Sequence, residues 1–245
     1  MDIEKFNAAL KETLETERLK NGIGTYSEGT LHDVLKKYFE PSTERHELKV
    51  GKYVADIVGQ NGIIEIQTRQ LFRMKDKIKA FLEVSDVTVV HPVSAVRYVS
   101  WIDSQTGEVV GRRKSPSKGN LYEAMVELYS LREFVADPGF HFVVVLLETE
   151  ELKDFKLNKY GKKKSVRRFD RIPLRLISEE HFFCKDDYFR LIPDGLADRF
   201  TSADFAKNAK IHRSLAQAVL NLFNGMGIVE RVDRNKNGYI YTVGK

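Results

Sequence analysis

The feature that most constrains this 245-residue sequence is a pair of short apolar strands joined by a tight turn. Residues 53–68 alternate isoleucine and valine with polar side chains, and Asn61-Gly62, a strong two-residue hairpin signal, stands between the strands. A turn at those two residues pairs Asp56 with Gln67 and places Glu65 diagonal to Asp56. The backbones at a diagonal position are roughly 7–8 Å apart, so two side chains there can converge on one ion.

Polar residues inside these strands need a physical reason. The strand alternation places Asp56, Glu65 and Gln67 on one face and directs their neighbours Ile57 and Ile64, with Ile66, into the core. Polar groups in strands otherwise this apolar are costly unless they are paired or functional. The alternative is that Glu65 and Gln67 form the solvent face of an antiparallel strand.

At these residues the chain resembles the PD-(D/E)XK, or restriction-endonuclease-like, nuclease superfamily. That family has an Asp on one strand and Glu-x-Lys on the next strand of a hairpin, often with a Glu on a preceding helix. Asp56 and Glu65 match the two strand acids, and Glu28 matches the helix acid. Gln67 stands where the family usually has Lys, and Ala55 stands at the Pro position. The resemblance covers about residues 25–150.

The resemblance implies a Mg2+-dependent endonuclease that hydrolyses phosphodiester bonds in DNA, with Mn2+ as a substitute ion. A divalent cation polarises a phosphoryl oxygen and lowers the pKa of the attacking water. The metal ligands implied are Asp56, Glu65 and the Ile66 carbonyl, and the catalytic set is Glu28, Asp56, Glu65 and Gln67. Arg69 and Lys49 are candidates for the missing positive charge. For Glu28, the alternative is the third residue of a capping box that Thr25 begins.

The order of predicted elements favours a mixed sheet flanked by helices, in an α/β (α+β) domain over residues 1–194. Periodicity and capping residues predict helices over 2–20, 27–39, 70–83 and 120–134. Strands are predicted over 46–50, 53–59, 63–68, 141–149 and 172–177, with two more inside 87–103 and a basic loop over 107–119.

A second, smaller domain is predicted over residues 195–245. Thr201 and Asp204 form a capping-box pattern that opens one helix, and Ile211–Asn224 is predicted as a second helix closed by Gly225. Two β runs follow, Ile228–Val232 and Tyr239–Val243. Helix, turn, helix and hairpin resemble a winged helix-turn-helix. Pro193 and Gly195 mark a boundary with little apolar continuity, so the core domain is expected to fold without this segment.

Positive charge is concentrated in two segments. The chain carries +5 overall, with +6 in residues 159–171 and +4 in residues 196–245, which leaves −5 elsewhere. Such concentration is typical of proteins that bind polyanions. The residues expected to contact double-stranded DNA are Arg112, Arg113, Lys114, Lys118, Lys162, Lys163, Lys164, Arg167, Arg168, His212, Arg213, Gln217, Asn221, Arg234 and Lys236. The alternatives are a solvated basic loop and a winged helix that docks proteins.

The composition also bears on where the protein is located and on which classes of protein it can belong to. No apolar run approaches the roughly 18 residues that cross a bilayer, and the N-terminus lacks a signal-peptide core, so a cytoplasmic protein without membrane contact is expected. Cys184 is the single cysteine, which excludes an internal disulfide. A non-catalytic DNA-binding regulator with a degenerate nuclease-like domain is the main rival, for which Gln67 argues. An RNA nuclease and a homodimer both remain open.

Overall fold

Seven strands form one mixed sheet, which confirms the predicted α/β architecture. The structure is a computed structural model that describes residues 1–21, 29–103, 109–157, 163–236 and 238–244, without the side chains of 17–21, 103, 155–157 and 163–169. The strands are β1 His46–Val50, β2 Tyr53–Gly59, β3 Gly62–Ile66, β4 Val87–Asp103, β5 Val109–Lys114, β6 Phe140–Leu157 and β7 Lys163–Phe182. Their order is β1-β2-β3-β4-β6-β7, and β5 pairs with the far half of β4. β4 runs parallel to β3 and β6, and the other pairs are antiparallel.

Helices cover both faces of the base of the sheet. They are α1 Ile3–Asn21, α2 Thr30–Phe39, α3 Lys75–Leu82 and α4 Leu121–Leu128, and short 3-10 turns flank α3 and α4. The helices α1 and α2 pack with Ile57 and Ile66 into one apolar cluster. The helices α3 and α4 pack with Ile63 into a second cluster on the opposite face. The Asn120 side chain accepts hydrogen bonds from two backbone N–H groups at the start of α4, as the capping pattern predicts.

Two further helices and a hairpin follow in the predicted order. They are β8 Phe200–Thr201, α5 Ser202–Ala209, α6 Arg213–Met226, β9 Val229–Asn235 and β10 Gly238–Val243, and the strands form a second sheet in the order β8-β10-β9. Thr201 and Asp204 make the expected reciprocal capping box. The helix α6 passes through Gly225, contrary to expectation, because the left-handed C-cap is Gly227 with φ 70°.

The apolar core is continuous between the sheet and the C-terminal elements. Leu128 and Leu131 belong to the same buried cluster as Phe205, Leu220 and Phe223. The expectation of little apolar continuity is therefore wrong, because the periodic apolar faces of α4 and α6 are buried against each other. Removing residues 195–245 would expose that apolar surface of α4 to water.

The hairpin turn lies one residue earlier in the chain than predicted. Gly59 pairs with Gly62, so Gln60 and Asn61 form the loop. A Cβ at Gly62 would lie 2.6 Å from the backbone oxygen of Asp86. The glycine is therefore required by the close approach of β3 to the start of β4, and the turn itself does not need it.

The far half of the sheet is longer than the sequence predicts. The strand β4 is continuous where two strands are predicted, because an offset at Ala95 in its pairing with β6 absorbs the irregularity. Residues 109–114, within the predicted basic loop, form the edge strand β5. In the described part of the chain no helix is long and apolar enough to span a membrane.

Candidate active site

Asp56 and Glu65 meet where β2 and β3 end their regular pairing. The last paired residues on this side are Ile57 and Ile64. Beyond them, the Asp56 backbone N–H donates to Glu65 Oε1 at 3.1 Å, and the Ile66 backbone N–H donates to Asp56 Oδ2 at 2.8 Å. Each carboxylate therefore accepts a hydrogen bond from the opposite strand, a closer arrangement than the predicted diagonal. The two acids therefore lie close together, and Ile57, Ile64 and Ile66 pack into the cluster formed with α1 and α2, as expected.

Two cationic side chains flank the acids from opposite faces of the sheet. His32 Nε2 on α2 lies 3.1 Å from Asp56 Oδ2. Lys77 Nζ on α3 donates to Glu65 Oε2 at 2.5 Å. Since Glu65 is only 1% exposed, its charge depends on these protein partners rather than on water.

The environment separates the pKa values of the two acids. Burial, together with the charge of Asp56, raises the pKa of Glu65 to about 7 despite the Lys77 ammonium. Burial alone would also raise the pKa of Asp56, but the hydrogen bond and charge of His32 hold it below its usual value. Hydrogen bonds to Asp33 and Asp56 overcome burial and raise the pKa of His32 to about 9. Near neutral pH the site therefore contains an ionised Asp56, an imidazolium and a Glu65 that readily exchanges its proton.

Gln67 lies beyond the end of β3 and is turned away from the acid pair. Its side-chain Nε2 donates to the backbone oxygen of Arg69 at 2.8 Å. Its own backbone oxygen accepts a hydrogen bond from His91 Nδ1 at 2.7 Å. Arg69 and Lys49, the candidates for the missing cation, are both exposed. Lys77 provides the positive charge at Glu65 instead.

Sequence reasoning missed His32 and Lys77. His32 adjoins the buried Leu31 of α2, and Lys77 precedes the buried Ile78 of α3, so each lies at the border of an apolar helix face. That position is the available sequence signal, because a border residue can reach the sheet edge while its neighbours pack in the core. Which strand residue it meets depends on the packing of helix against sheet, which local periodicity does not specify.

Several predicted DNA contacts can be placed on the sheet. Arg112, Arg113, Lys114 and Lys118 are exposed on and after β5. The Arg112 guanidinium stacks 3.9 Å from the ring centroid of Tyr98 and pairs with Glu150. Glu28 and Lys162 lie outside the described residues. The side chains of Lys163, Lys164, Arg167 and Arg168 are likewise not described, although their backbone belongs to β7.

The predicted contacts in the C-terminal elements are all exposed. The exposed residues on and before α6 are His212, Arg213, Gln217 and Asn221, and those on the β9 end of the hairpin are Arg234 and Lys236. Asn221 Oδ1 accepts a hydrogen bond from Arg231 at 2.8 Å, and Arg231 stacks 4.3 Å from the Tyr239 centroid. The contact between Arg231 and Asn221 thus links the hairpin to α6, and Asn221 is one of the residues predicted to contact DNA.

The donor set suits a hard divalent cation in chemical terms. Within the described residues, no group of three or more His, Cys, Asp or Glu side chains has metal-binding geometry. Mg2+ nevertheless binds through one or two carboxylates and keeps several waters. Asp56 and Glu65 supply two carboxylates, and a bound cation would favour the ionised form of Glu65, whose pKa burial and the charge of Asp56 raise. The residues therefore fit such an ion, with Ile66 O as a further oxygen donor.

Comparison with known proteins places the chain in a family. An uncharacterized protein of Treponema pallidum (strain Nichols) is 30% identical over 186 residues, which cover 76% of this chain and 74% of that protein. No solved structure matches the chain. The family model described as domain of unknown function DUF8091 matches residues 29–183, from the start of α2 to the end of β7, and so spans the acid pair with both of its cations. Over this stretch the chain belongs to the DUF8091 family.

Proposed function

We propose that the protein is a metal-dependent DNA endonuclease of the restriction-endonuclease-like kind. The observation that carries the proposal is the convergence of Asp56 and Glu65 at the end of the β2–β3 pairing, with a cationic side chain against each acid. The mixed sheet flanked by helices supports it as well, because this is the architecture that the resemblance implies. Perturbed, paired titratable groups of this kind concentrate at functional sites.

Each residue has a distinct role in the proposed reaction. Asp56, Glu65 and the Ile66 carbonyl would hold Mg2+, which would polarise a phosphoryl oxygen and lower the pKa of the attacking water. Lys77 fixes the orientation of the Glu65 carboxylate and adds positive charge where a phosphate group would approach. His32 orients Asp56 and holds a proton at Nε2, which it can release or retain near its pKa of about 9.

The C-terminal helices and hairpin are proposed to grip the duplex. They carry +4, and the exposed side chains of α6 include groups that can reach base edges or phosphates. The exposed cations of β5 extend the basic surface along the sheet. Phosphate contacts of this type fix the register of a protein on DNA.

Cleavage of supercoiled plasmid tests the proposal directly. The protein should nick or linearise the plasmid with Mg2+ or Mn2+, and the activity should stop when the ion is chelated. Asp56→Asn and Glu65→Gln should each lower the rate by more than about 100-fold, beyond the usual cost of removing an outer-shell partner. Glu180→Gln is the control. It removes an acid of β7 that is far from Asp56 and Glu65 in sequence, so this variant should cut normally. Normal cutting by Glu65→Gln would overturn the site assignment.

A DNA-binding regulator is the second candidate. It is favoured by the position of Gln67, whose side chain bonds to Arg69 rather than to the acids, and by the saturation of both acids with protein cations. Under this alternative the plasmid stays intact with every ion, while duplex DNA is still bound. A parallel assay uses duplex RNA of the same sequence. Cleavage of the RNA but not of the DNA would indicate an RNA nuclease rather than either candidate.

A further inference from the structure

A proline lies inside β4, a strand that pairs with β3 on one side and with β6 on the other. Proline lacks the backbone N–H that a ladder needs, so sheets normally confine it to edge strands, strand starts and bulges. The last residue of β3 that pairs with β4 is Ile66, opposite Val90. Pro92 therefore stands just beyond the point where β3 and β4 stop pairing, and Ile66 is also the residue whose N–H bonds to Asp56.

The register of the ladder identifies the hydrogen bond that Pro92 removes. Ile63 donates to the backbone oxygen of Asp86 at 2.8 Å, and further along β3 Gln67 donates to the backbone oxygen of Val90 at 2.9 Å. In a parallel ladder, a residue that donates to one carbonyl of the neighbouring strand accepts from the N–H two positions further along that strand. The carbonyl of Gln67 would therefore accept from residue 92, where proline has no N–H.

The side chain of His91 supplies the donor that the backbone lacks. Its Nδ1 lies 2.7 Å from the backbone oxygen of Gln67, and a carbonyl oxygen can only accept, so Nδ1 carries the proton. Burial lowers the pKa of His91, which favours a neutral ring with this single N–H. The residue is 5% exposed, and its ring stacks on Phe142 with the centroids 6.5 Å apart. Packing therefore fixes the direction of the Nδ1–H group.

The contacts of Gln67 with β4 determine where the preceding carbonyl points. The peptide between Ile66 and Gln67 is trans, so its C=O and its N–H are directed to opposite sides. Because the N–H of Gln67 is directed to β4, the carbonyl of Ile66 is directed to β2. The N–H of Ile66 donates to Asp56 Oδ2 on that same side. The regular pairing of β2 with β3 has ended at Ile57 and Ile64, so the Ile66 oxygen lies on the side of the acid pair.

We propose that His91 is a positioning residue of the metal site, which holds the end of β3 so that the Ile66 carbonyl is directed toward the ion. The end of a strand opens more easily than its middle, and a donor at the Gln67 carbonyl opposes that opening. Residues that orient a metal ligand in this way typically contribute roughly 10- to 100-fold to metal affinity. The inference rests on the proposed function for the presence of the ion.

Calorimetric titration of the DNA-free protein with Mn2+ measures this role. The amide of His91→Asn places an N–H near the position of Nδ1, so this variant should bind Mn2+ nearly as the native protein does. The amide of His91→Gln lies near the position of Nε2, which leaves the Gln67 carbonyl without its donor, and Mn2+ affinity should fall by roughly tenfold or more. His141→Gln, which changes a histidine of β6 that packs against Phe183, is the matched control and should bind normally. Equal affinity in His91→Gln and the native protein would overturn the inference.

Pro92→Ala provides a second test of the same hydrogen bond. Added to His91→Gln, it restores a backbone N–H at the ladder position from which the Gln67 carbonyl would accept, so Mn2+ affinity should recover. Melting temperatures without the ion show whether each variant folds. If neither His91→Asn nor the double variant binds Mn2+ more tightly than His91→Gln, the ring of His91 acts through its volume alone and the proposal is wrong.

Amide hydrogen exchange follows the same peptide without any ion. The N–H groups of Ile66 and Gln67 should exchange faster in His91→Gln and at the native rate in His91→Asn, and unchanged exchange in His91→Gln would contradict the proposal.

The outcomes separate this inference from the proposed function. Mn2+ binding that depends on His91, without plasmid cleavage, would reject the nuclease and leave the positioning role in place. Plasmid cleavage with Mn2+ affinity and exchange that do not respond to His91 would reject this inference alone. A native protein that binds no Mn2+ would reject both.

Discussion

The two charged clusters of the sheet differ in how many cations each buried acid contacts. Between β2 and β3, Asp56 and Glu65 face His32 and Lys77, two acids against two cations. Across β4, β6 and β7, Glu151 lies within 3.6 Å of three cationic side chains, those of Arg97, Lys153 and Arg171. Glu65 therefore has one close cation, whereas Glu151 has three within 3.6 Å. Removing one cation should therefore have unequal effects in the two places.

Loss of Lys77 should have the largest effect on stability. Lys77→Met leaves Glu65 buried beside Asp56 without its close cation, so the free energy of unfolding at pH 8 should fall by about 3 kcal/mol. At pH 5 the loss should be smaller, because Glu65 with its pKa of about 7 is then protonated. Urea unfolding at the two pH values measures both quantities. An unchanged stability at pH 8 would show that the cluster is not balanced in this way.

The pH dependence of stability should be the next largest effect. The folded protein retains the Glu65 proton up to pH about 7, while the ordinary value is 4.5, so the free energy of unfolding should decrease as pH rises between these values. The decrease should reach about 2 kcal/mol, and it should be absent in Glu65→Gln. His32, raised from 6.5 to about 9, should add a second decrease above pH 6.5 that Glu65→Gln retains. Unfolding titrations across this range distinguish the two, and a flat profile in the native protein would contradict both.

Loss of Arg97 should cost less than loss of Lys77. Arg97→Gln leaves Glu151 with Arg171 and Lys153, so the free energy of unfolding should fall by no more than about 1 kcal/mol. The same urea experiments at pH 8 provide the comparison. A loss as large as that of Lys77→Met would mean that Glu151 needs all three cations.

The smallest effect is expected at the exposed pair of Arg175 and Glu148. Its closest distance is 3.1 Å, but the arginine side chain is 66% exposed. Arg175→Gln should change the free energy of unfolding by less than about 0.5 kcal/mol, because water screens such pairs. A larger change would indicate that charges across β6 and β7 are coupled through the sheet.

Local patterns predict the base of the fold well. The strands β1 and β2 have the predicted bounds, and the caps at Asn120 and Thr201 open helices where expected. These features depend on neighbours in sequence, which periodicity and capping chemistry describe. The closeness of Asp56 and Glu65 was predictable for the same reason, because with the turn at Gln60-Asn61 these two residues lie directly beyond the last pair, Ile57 and Ile64.

Features that depend on distant contacts could not be obtained in this way. The continuity of β4, the strand β5 and the full length of β7 result from pairing between segments far apart in the chain. The contacts of His32 and Lys77 with the acids require the helices to pack on opposite faces at one particular position. The core shared by α4 and α6 was missed because each helix, taken alone, shows only that it has an apolar face.

The composition of β5 has a consequence for assembly. All six of its residues are exposed, three of them are cationic, and among the described strands it pairs with β4 alone. An open strand edge invites a second chain to extend the sheet, and cationic side chains on that edge oppose such growth. Two copies joined through β5 would bring six cationic side chains, Arg112, Arg113 and Lys114 of each copy, onto two neighbouring strands. This edge therefore opposes extension of the sheet by a second copy, and we expect a homodimer to use another surface.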